Sequence, residues 1–258
     1  MKSYKIYLAV IIIAFAVYTL FGGTAHQAVS GASLEAPSLT HPLGTDDLGI
    51  DIFAQLIHGG GYSIFLGIFS AGAATFIGSI VGIISGYIGG KTDHFLMAVC
   101  DIVTGMPQMI LLILLGAFLG ASYLSMILVL AMLSWPQTAR TVRARVLFIK
   151  EHDYIRYSKQ MGTPLYTIII RHFLPPLKPL LTLAFIKMMS RSIMMEASLA
   201  YLGLGDPTSK SWGMMLNKAM AFPGIYFTPY WKWWLTAPLI ALVCLILSLM
   251  LLSKEIEV

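Results

Sequence analysis

The chain has 258 residues, 57% of them hydrophobic and only 11% charged, with a net charge of +5. Soluble domains carry about 25% charged residues, so an ordinary soluble globule is excluded, and the excess of cations is not by itself a nucleic-acid signal. Cys100 and Cys244 both lie in apolar runs, which excludes a disulfide framework and any cysteine-rich metal spacing.

Crossing a bilayer takes about 20 apolar residues as a helix. Stretches of this kind recur at 5–22, 62–89, 95–119, 122–139, 177–202 and 233–252, which predicts an all-α polytopic membrane protein with six transmembrane helices. The first run follows Lys2 and Lys5 and extends from Ile6 to Phe21. A cleaved signal peptide is the rival reading, since Gly22, Gly23 and Ala25 follow it. The run exceeds the roughly 7–15 residues of a signal core, which favours a retained transmembrane helix over residues 1–22.

Residues 23–61 contain no Lys or Arg and form an extracytoplasmic segment. Its stretch "HPLGTDDLGIDIF" (41–53) places Pro42, Gly44 and Asp46 where a tight turn would precede a helix. Along span two, Gly78, Gly82, Gly86 and Gly90 recur every four residues, a spacing that lets a neighbouring backbone approach one side of the helix. Span three contains Pro107, which predicts a kink. Near the start of span six, Tyr226, Tyr230, Trp231, Trp233 and Trp234 form an interfacial aromatic belt.

Orientation follows from the basic residues. Twelve of them fall on the side that holds the N-terminus, Lys91, the segment after span four and Lys254, against Lys210, Lys218 and Lys232 on the other. By the positive-inside rule both termini and the segment 140–177 are cytoplasmic.

That segment contains "YIRYSKQMGTPLYTIIIRHFLPP" (154–176). Asp153 is suited to N-cap a two-turn helix over Tyr154–Met161, ended by Gly162. A second short helix starts with Thr163 as cap and Pro164 in its first turn, and Pro175-Pro176 is expected to stop it. Tyr154, Tyr157 and Met161 fall on one side of the first helix, Arg156 and Lys159 on another. An apolar side at this spacing calls for a cover, either the membrane surface or a groove on another protein.

Span five carries Lys187, Arg191 and Glu196, where ionisable side chains are costly. Lys187 and Arg191 are four residues apart and share a helix side. Two readings stand. In one they line a path and attract an anionic or carboxylate-rich solute, such as a peptide or a metal chelate. In the other they pair with acidic groups or snorkel.

No catalytic constellation stands out. "SGYIGGKT" (85–92) nearly matches a phosphate-binding loop, but Ser85 replaces the first Gly and the segment ends a membrane span. The six histidines have no metalloprotease spacing, no nucleophile-elbow sequence is present, and no metal site is expected.

The 154–176 stretch resembles the coupling loop of binding-protein-dependent ABC importer permeases, with Gly162 and Leu174-Pro175 in the matching places. The Glu-Ala-Ala of that loop is replaced by Arg156, Tyr157 and Ser158. "HPLGTDDLGIDIFAQLIHGGGYSIFLG" (41–67), "GYIGGKTD" (86–93), "ARTVR" (139–143), "RHFLPP" (171–176), "EASLAYLGLGDP" (196–207) and "SWGMML" (211–216) are similar to motifs of the dipeptide, oligopeptide and nickel permease group. Ile50 stands where that group usually has Arg. Within the group the chain resembles the second, C-type permease.

The resemblance implies a type I importer (MetI-like) permease core over 62–252 and a short tail at 253–258. It implies a second, B-type permease, two ATPase subunits that hold ATP and Mg, an extracytoplasmic solute-binding protein, and no cofactor in this chain. Peptide import is the leading reading, nickel or metal-chelate import the alternative. It also implies that Tyr154, Ile155, Arg156, Tyr157, Ser158, Lys159, Gln160, Met161 and Gly162 form the helix that couples to the ATPases. His41, Pro42, Gly44 and Asp46 either contact the binding protein or only build a turn.

Overall fold

The computed structural model describes residues 28–120, 122–206 and 209–257, and of Arg156, Lys159, Leu165 and Glu257 the backbone alone. The expected first span at 5–22 lies outside the described residues. Among them the chain is helical, with two isolated β-bridges, Val29 to Ile50 and Thr45 to Asp51, in the segment before the first described helix.

That helix, α1 (Ile52–Ile88), is capped by Asp51, whose carboxylate accepts from Phe53 N, and ends at Gly89. At ~1.5 Å per residue its 37 residues reach about 55 Å, longer than the ~30 Å hydrocarbon core. It starts ten residues before the expected span, running straight through Gly59-Gly60-Gly61. Glycines weaken a helix by about 1 kcal/mol each; here two of them admit neighbours. A Cβ on Gly59 would sit 2.2 Å from Lys210 O, and one on Gly60 would sit 2.8 Å from the Trp212 ring.

α2 (Gly90–Gly105) and α3 (Gln108–Leu119) are the expected third span, broken at Met106-Pro107 by 86°. Proline has no N–H to continue the ladder and its ring clashes with the preceding turn. α4 (Tyr123–Lys150) is capped by Ser122 and carries Pro136. Gly78 and Gly82 of α1 bring α4 into backbone contact: a Cβ on either would lie 2.6 Å from a carbonyl, Trp135 O or Ala139 O. Gly90, the last of the expected series, has nothing within 4 Å and a φ of +58°. It serves the left-handed turn between α1 and α2, not the packing.

α5 (Asp153–Gln160) and α6 (Leu165–Ile168) follow. The expected stop at Pro175-Pro176 does not occur. A π-helical segment, Ile169–Phe173, carries α6 into α7 (Leu174–Tyr201), with Leu174 N donating to Ile169 O. The wider turn lets the helix pass two residues that lack an N–H, and the prolines occupy the first positions of α7, where no N–H is needed. A return at the far end gives α8 (Trp212–Ala221), capped by Ser211, then α9 (Trp231–Trp234) and α10 (Thr236–Glu257).

Among the described residues, α1, the α6–α7 rod and α9–α10 are long and apolar enough to cross a membrane, and the bent α2–α3 pair makes a fourth if it is one span. α4 is long enough but runs into Arg140, Arg143 and Arg145 halfway. Three apolar cores stack along the bundle. One, at the α8 end, includes Ile52, Ile193, Trp212, Trp234 and Leu249. A middle one includes Leu66, Leu112, Leu130 and Leu199. One at the α5 end includes Val146, Ile149, Ile155, Ile168 and Phe173.

Candidate functional site

At the α5 end, short polar ties lock the ends of α1, α2 and α4 together. Arg143 Nε and a terminal nitrogen each lie 2.5 Å from an Asp93 carboxylate oxygen, a bidentate pair. Ser85 donates to the same carboxylate. Arg140 reaches Asp101 at 2.7 Å, and Lys150 Nζ donates to Tyr87 O at 2.6 Å, closing a carbonyl at the end of α1. Sequence reading counted these α4 cations for orientation; their role as ties required the fold.

On this frame sits α5. Ile155 is buried against Val146, Ile149, Ile168 and Phe173. Tyr154, Tyr157 and Met161 are exposed, Met161 at 85%. The periodicity therefore marked the outward side correctly, while Ile155 is the residue that seats the helix. Gly162 has a φ of +70°, and Thr163 N donates to Ser158 O at 3.1 Å, a Schellman closure that only a left-handed residue allows cheaply. Ser158 Oγ donates to Tyr154 O at 2.8 Å and lies 3.5 Å from His172 Nε2. The Tyr154 ring sits between those of His152 and His172, each 5.5 Å away. Gln160 is exposed; the side chains of Arg156 and Lys159 are outside the described set.

At the opposite end, Asp46 is buried and fully engaged. One carboxylate oxygen accepts from Leu48 N and Ile50 N, both at 2.9 Å, and the other accepts from Gln55 Nε2 at 2.7 Å. Gly44 has a φ of +72° and is pressed against Glu35 O and the Trp233 ring. His41 lies 3.8 Å from Asp51 and 4.0 Å from Glu35. Pro42 is exposed beside them. The motif is a compact turn that delivers Asp51 to cap α1.

The three ionisable residues of α7 do not share one environment. Glu196 is buried and accepts from Ser63 Oγ at 3.4 Å, with the Ser211 hydroxyl also in reach. It joins α1, α7 and the cap of α8, where Trp212 Nε1 donates to Leu56 O at 2.8 Å and Gly213 abuts Ala197 O. Nearby Lys210, outside the spans, has its ammonium pushed below the ordinary lysine value by burial and by Lys218 beside it. Lys187 and Arg191 point elsewhere. Arg191 donates to Gln108 Oε1, and Gln108 Nε2 donates to Leu133 O at 2.8 Å. Gln108, the first residue beyond the break in the third span, was not singled out from sequence; a lone amide at a helix start gives no signal there.

Residues 78–256 match the family described as binding-protein-dependent transport system inner membrane component. The chain is 36% identical over 199 residues to a peptide permease protein of Brucella suis, covering 77% of this chain and 66% of that one. It is 37% identical over 186 residues to a glutathione transport system permease protein of Pectobacterium atrosepticum, covering 72% and 62%. With an oligopeptide transport system permease protein of Bacillus subtilis it shares 35% over 203 residues, covering 78% and 65%. It thus spans just under two thirds of the length of the curated relatives it matches. Among solved structures it resembles a chain of the MetNI methionine ABC transporter in inward-facing conformations, with a TM-score of 0.64, 21% identity, and coverage of 78% of this chain and 94% of that one. That likeness shows a shared permease fold.

Proposed function

Because the chain belongs to the family of binding-protein-dependent transport system inner membrane components, we propose that it is one permease subunit of an ATP-driven importer of small peptides. A second, B-type permease completes the translocation path, two ATPase subunits bind ATP and Mg, and an extracytoplasmic solute-binding protein delivers the solute. This chain holds no cofactor of its own. The α5 end and both termini face the cytoplasm, in keeping with the twelve-to-three distribution of cations. Peptide import is favoured over nickel because the relatives carry peptide, oligopeptide and glutathione names.

The observation that carries the reading is the seating of α5. A helix fixed inward by Ile155 and showing Tyr154, Tyr157 and Met161 outward is a rigid knob for a groove on a partner. Closure of the ATPases on that knob would move it as one body with the ends of α4 and α7. At the far end, His41, Gly44 and Asp46 act by building the turn, and exposed Pro42 meets the binding protein.

Purification of the tagged chain from native membranes tests this. ATPase subunits and a second permease are expected to co-purify, and proteoliposomes of the complex with binding protein and ATP are expected to accumulate tri-alanine. A chain that purifies without any ATPase would instead be a stand-alone channel or a membrane scaffold.

A further inference from the structure

We infer that the face of α7 bearing Lys187, Ser190, Arg191 and Met194 is the solute-facing wall of the permease, and that Arg191 with Lys187 takes the carboxylate of an anionic peptide. The inference rests on the importer reading above and adds to it a wall and a solute chemistry.

Three cavities of about 430, 390 and 380 Å³ lie along α7. They are joined through shared walls. Lys187 lines the first two, and Met194 lines the second and third. Together they make one groove from Pro179 to Leu202. At ~1.5 Å per residue that groove is about 35 Å long, close to the ~30 Å hydrocarbon thickness. A lipid-facing groove would be apolar throughout. This one carries Gln137 and Thr141 from α4, Lys187, Ser190 and Arg191 from α7, and Ser253 from α10. Polar side chains at membrane depth are expensive and belong where water or solute passes.

Arg191 is held for recognition, not neutralised. Its printed partner is the neutral Gln108, which is itself anchored on Leu133 O, and no carboxylate forms an ion pair with Arg191 among the described residues. A guanidinium has five N–H donors, so a fork facing a carboxylate remains. Residues four apart on a helix have Cβ atoms about 5–6 Å apart, which brings the Lys187 ammonium to the same anion. Two cations on one wall favour a peptide carboxylate over a neutral solute.

The test uses the complete importer in proteoliposomes and two probes, tri-alanine and tri-alanine amide, which differ in the C-terminal carboxylate. Arg191→Gln is expected to lower tri-alanine uptake roughly ten-fold, the effect of losing one charge-assisted hydrogen bond, and to leave amide uptake nearly unchanged. ATP hydrolysis stimulated by the binding protein should persist. Lys187→Gln, a milder change at an exposed position, should shift the same ratio in the same direction, and it decides the matter if Arg191→Gln fails to assemble. An unchanged ratio in both variants, or an equal fall for both probes, overturns the inference; the equal fall assigns these cations to an acidic group of the second permease. A wild-type complex that takes up neither probe overturns the peptide reading beneath it, a separate failure.

Discussion

Arg143 grips Asp93 through both carboxylate oxygens, 50 residues apart in the chain, and Ser85 adds a third bond to the same group. The two residues come from "ARTVR" and "GYIGGKTD", motifs that looked unrelated in sequence. Removing one partner of a largely buried pair leaves the other uncompensated, at a cost of about 3 kcal/mol or more. Arg143 is partly exposed, so the low end applies. Arg143→Ala is expected to lower the melting temperature of the detergent-purified protein markedly. Arg143→Lys, lacking the fork, should recover less than half of the loss. Equal stability of Arg143→Ala and wild type would remove the tie from the account.

The contact between α1 and α4 is tested at Gly82. A Cβ there meets Ala139 O at 2.6 Å, backbone on both sides. Gly82→Ala would therefore push the helices apart at about 1–3 kcal/mol, visible as poorer expression and thermal stability. Gly90→Ala, where the added carbon meets nothing, should cost only about 1 kcal/mol of backbone strain. The reverse order would mean that α1 and α4 are not packed as described.

On α5, stability and partner binding should separate. Ile155→Ala empties a packed position and should cost about 2–4 kcal/mol, read by thermal denaturation. Tyr157→Ala and Met161→Ala remove exposed side chains and should leave stability within about 0.5 kcal/mol while reducing co-purification of the ATPases. Loss of stability without loss of ATPase from the exposed pair would point to the membrane surface as the cover of α5.

Arg156 stands where the coupling loop of related permeases begins its Glu-Ala-Ala. Arg156→Glu should weaken assembly with the chain's own ATPases, measured by pull-down at two salt concentrations, with the larger difference at low salt. Unaltered assembly and uptake would count against a charged contact at this position.

Glu196 should act through α8. Glu196→Leu leaves the Ser63 and Ser211 hydroxyls without their shared acceptor, at about 1–3 kcal/mol each if they stay buried. A cysteine at Ser211, fully buried in the native protein, should then become reactive to a water-soluble thiol reagent. Glu196→Gln, which can still accept, should keep it protected.

Several features were legible because they depend on local chemistry. Pro107 breaks its span, Gly162 closes α5, and the spacing of Gly78, Gly82 and Gly86 marks one side of α1. Asp46 and Gly44 announced a turn, and the turn is there. Others depend on partners distant in sequence. Nothing in "YIRYSKQM" shows that Ile155 faces a core built by Val146 and Phe173, or that Arg143 will find Asp93. Pro175-Pro176 misled for a physical reason: proline forbids an α-helical bond, and the chain answered with a wider turn. Glu196, Lys187 and Arg191 looked like one charged group, but five residues of helix turn Glu196 to the opposite side of α7.

The wider turn at Ile169–Phe173 also sets a phase. A π turn takes up more residues than an α turn, so α7 starts rotated relative to a plain continuation of α6. Deleting one residue from this segment would restore α geometry and swing everything beyond it by about 100°. Lys187 and Arg191 would then turn toward the packed side of the bundle, and Ile186 and Ile193 away from it. The segment works like a keyway, in which residue count matters more than residue identity. Single substitutions at exposed Ile170 or Arg171 should be tolerated where a one-residue deletion is not.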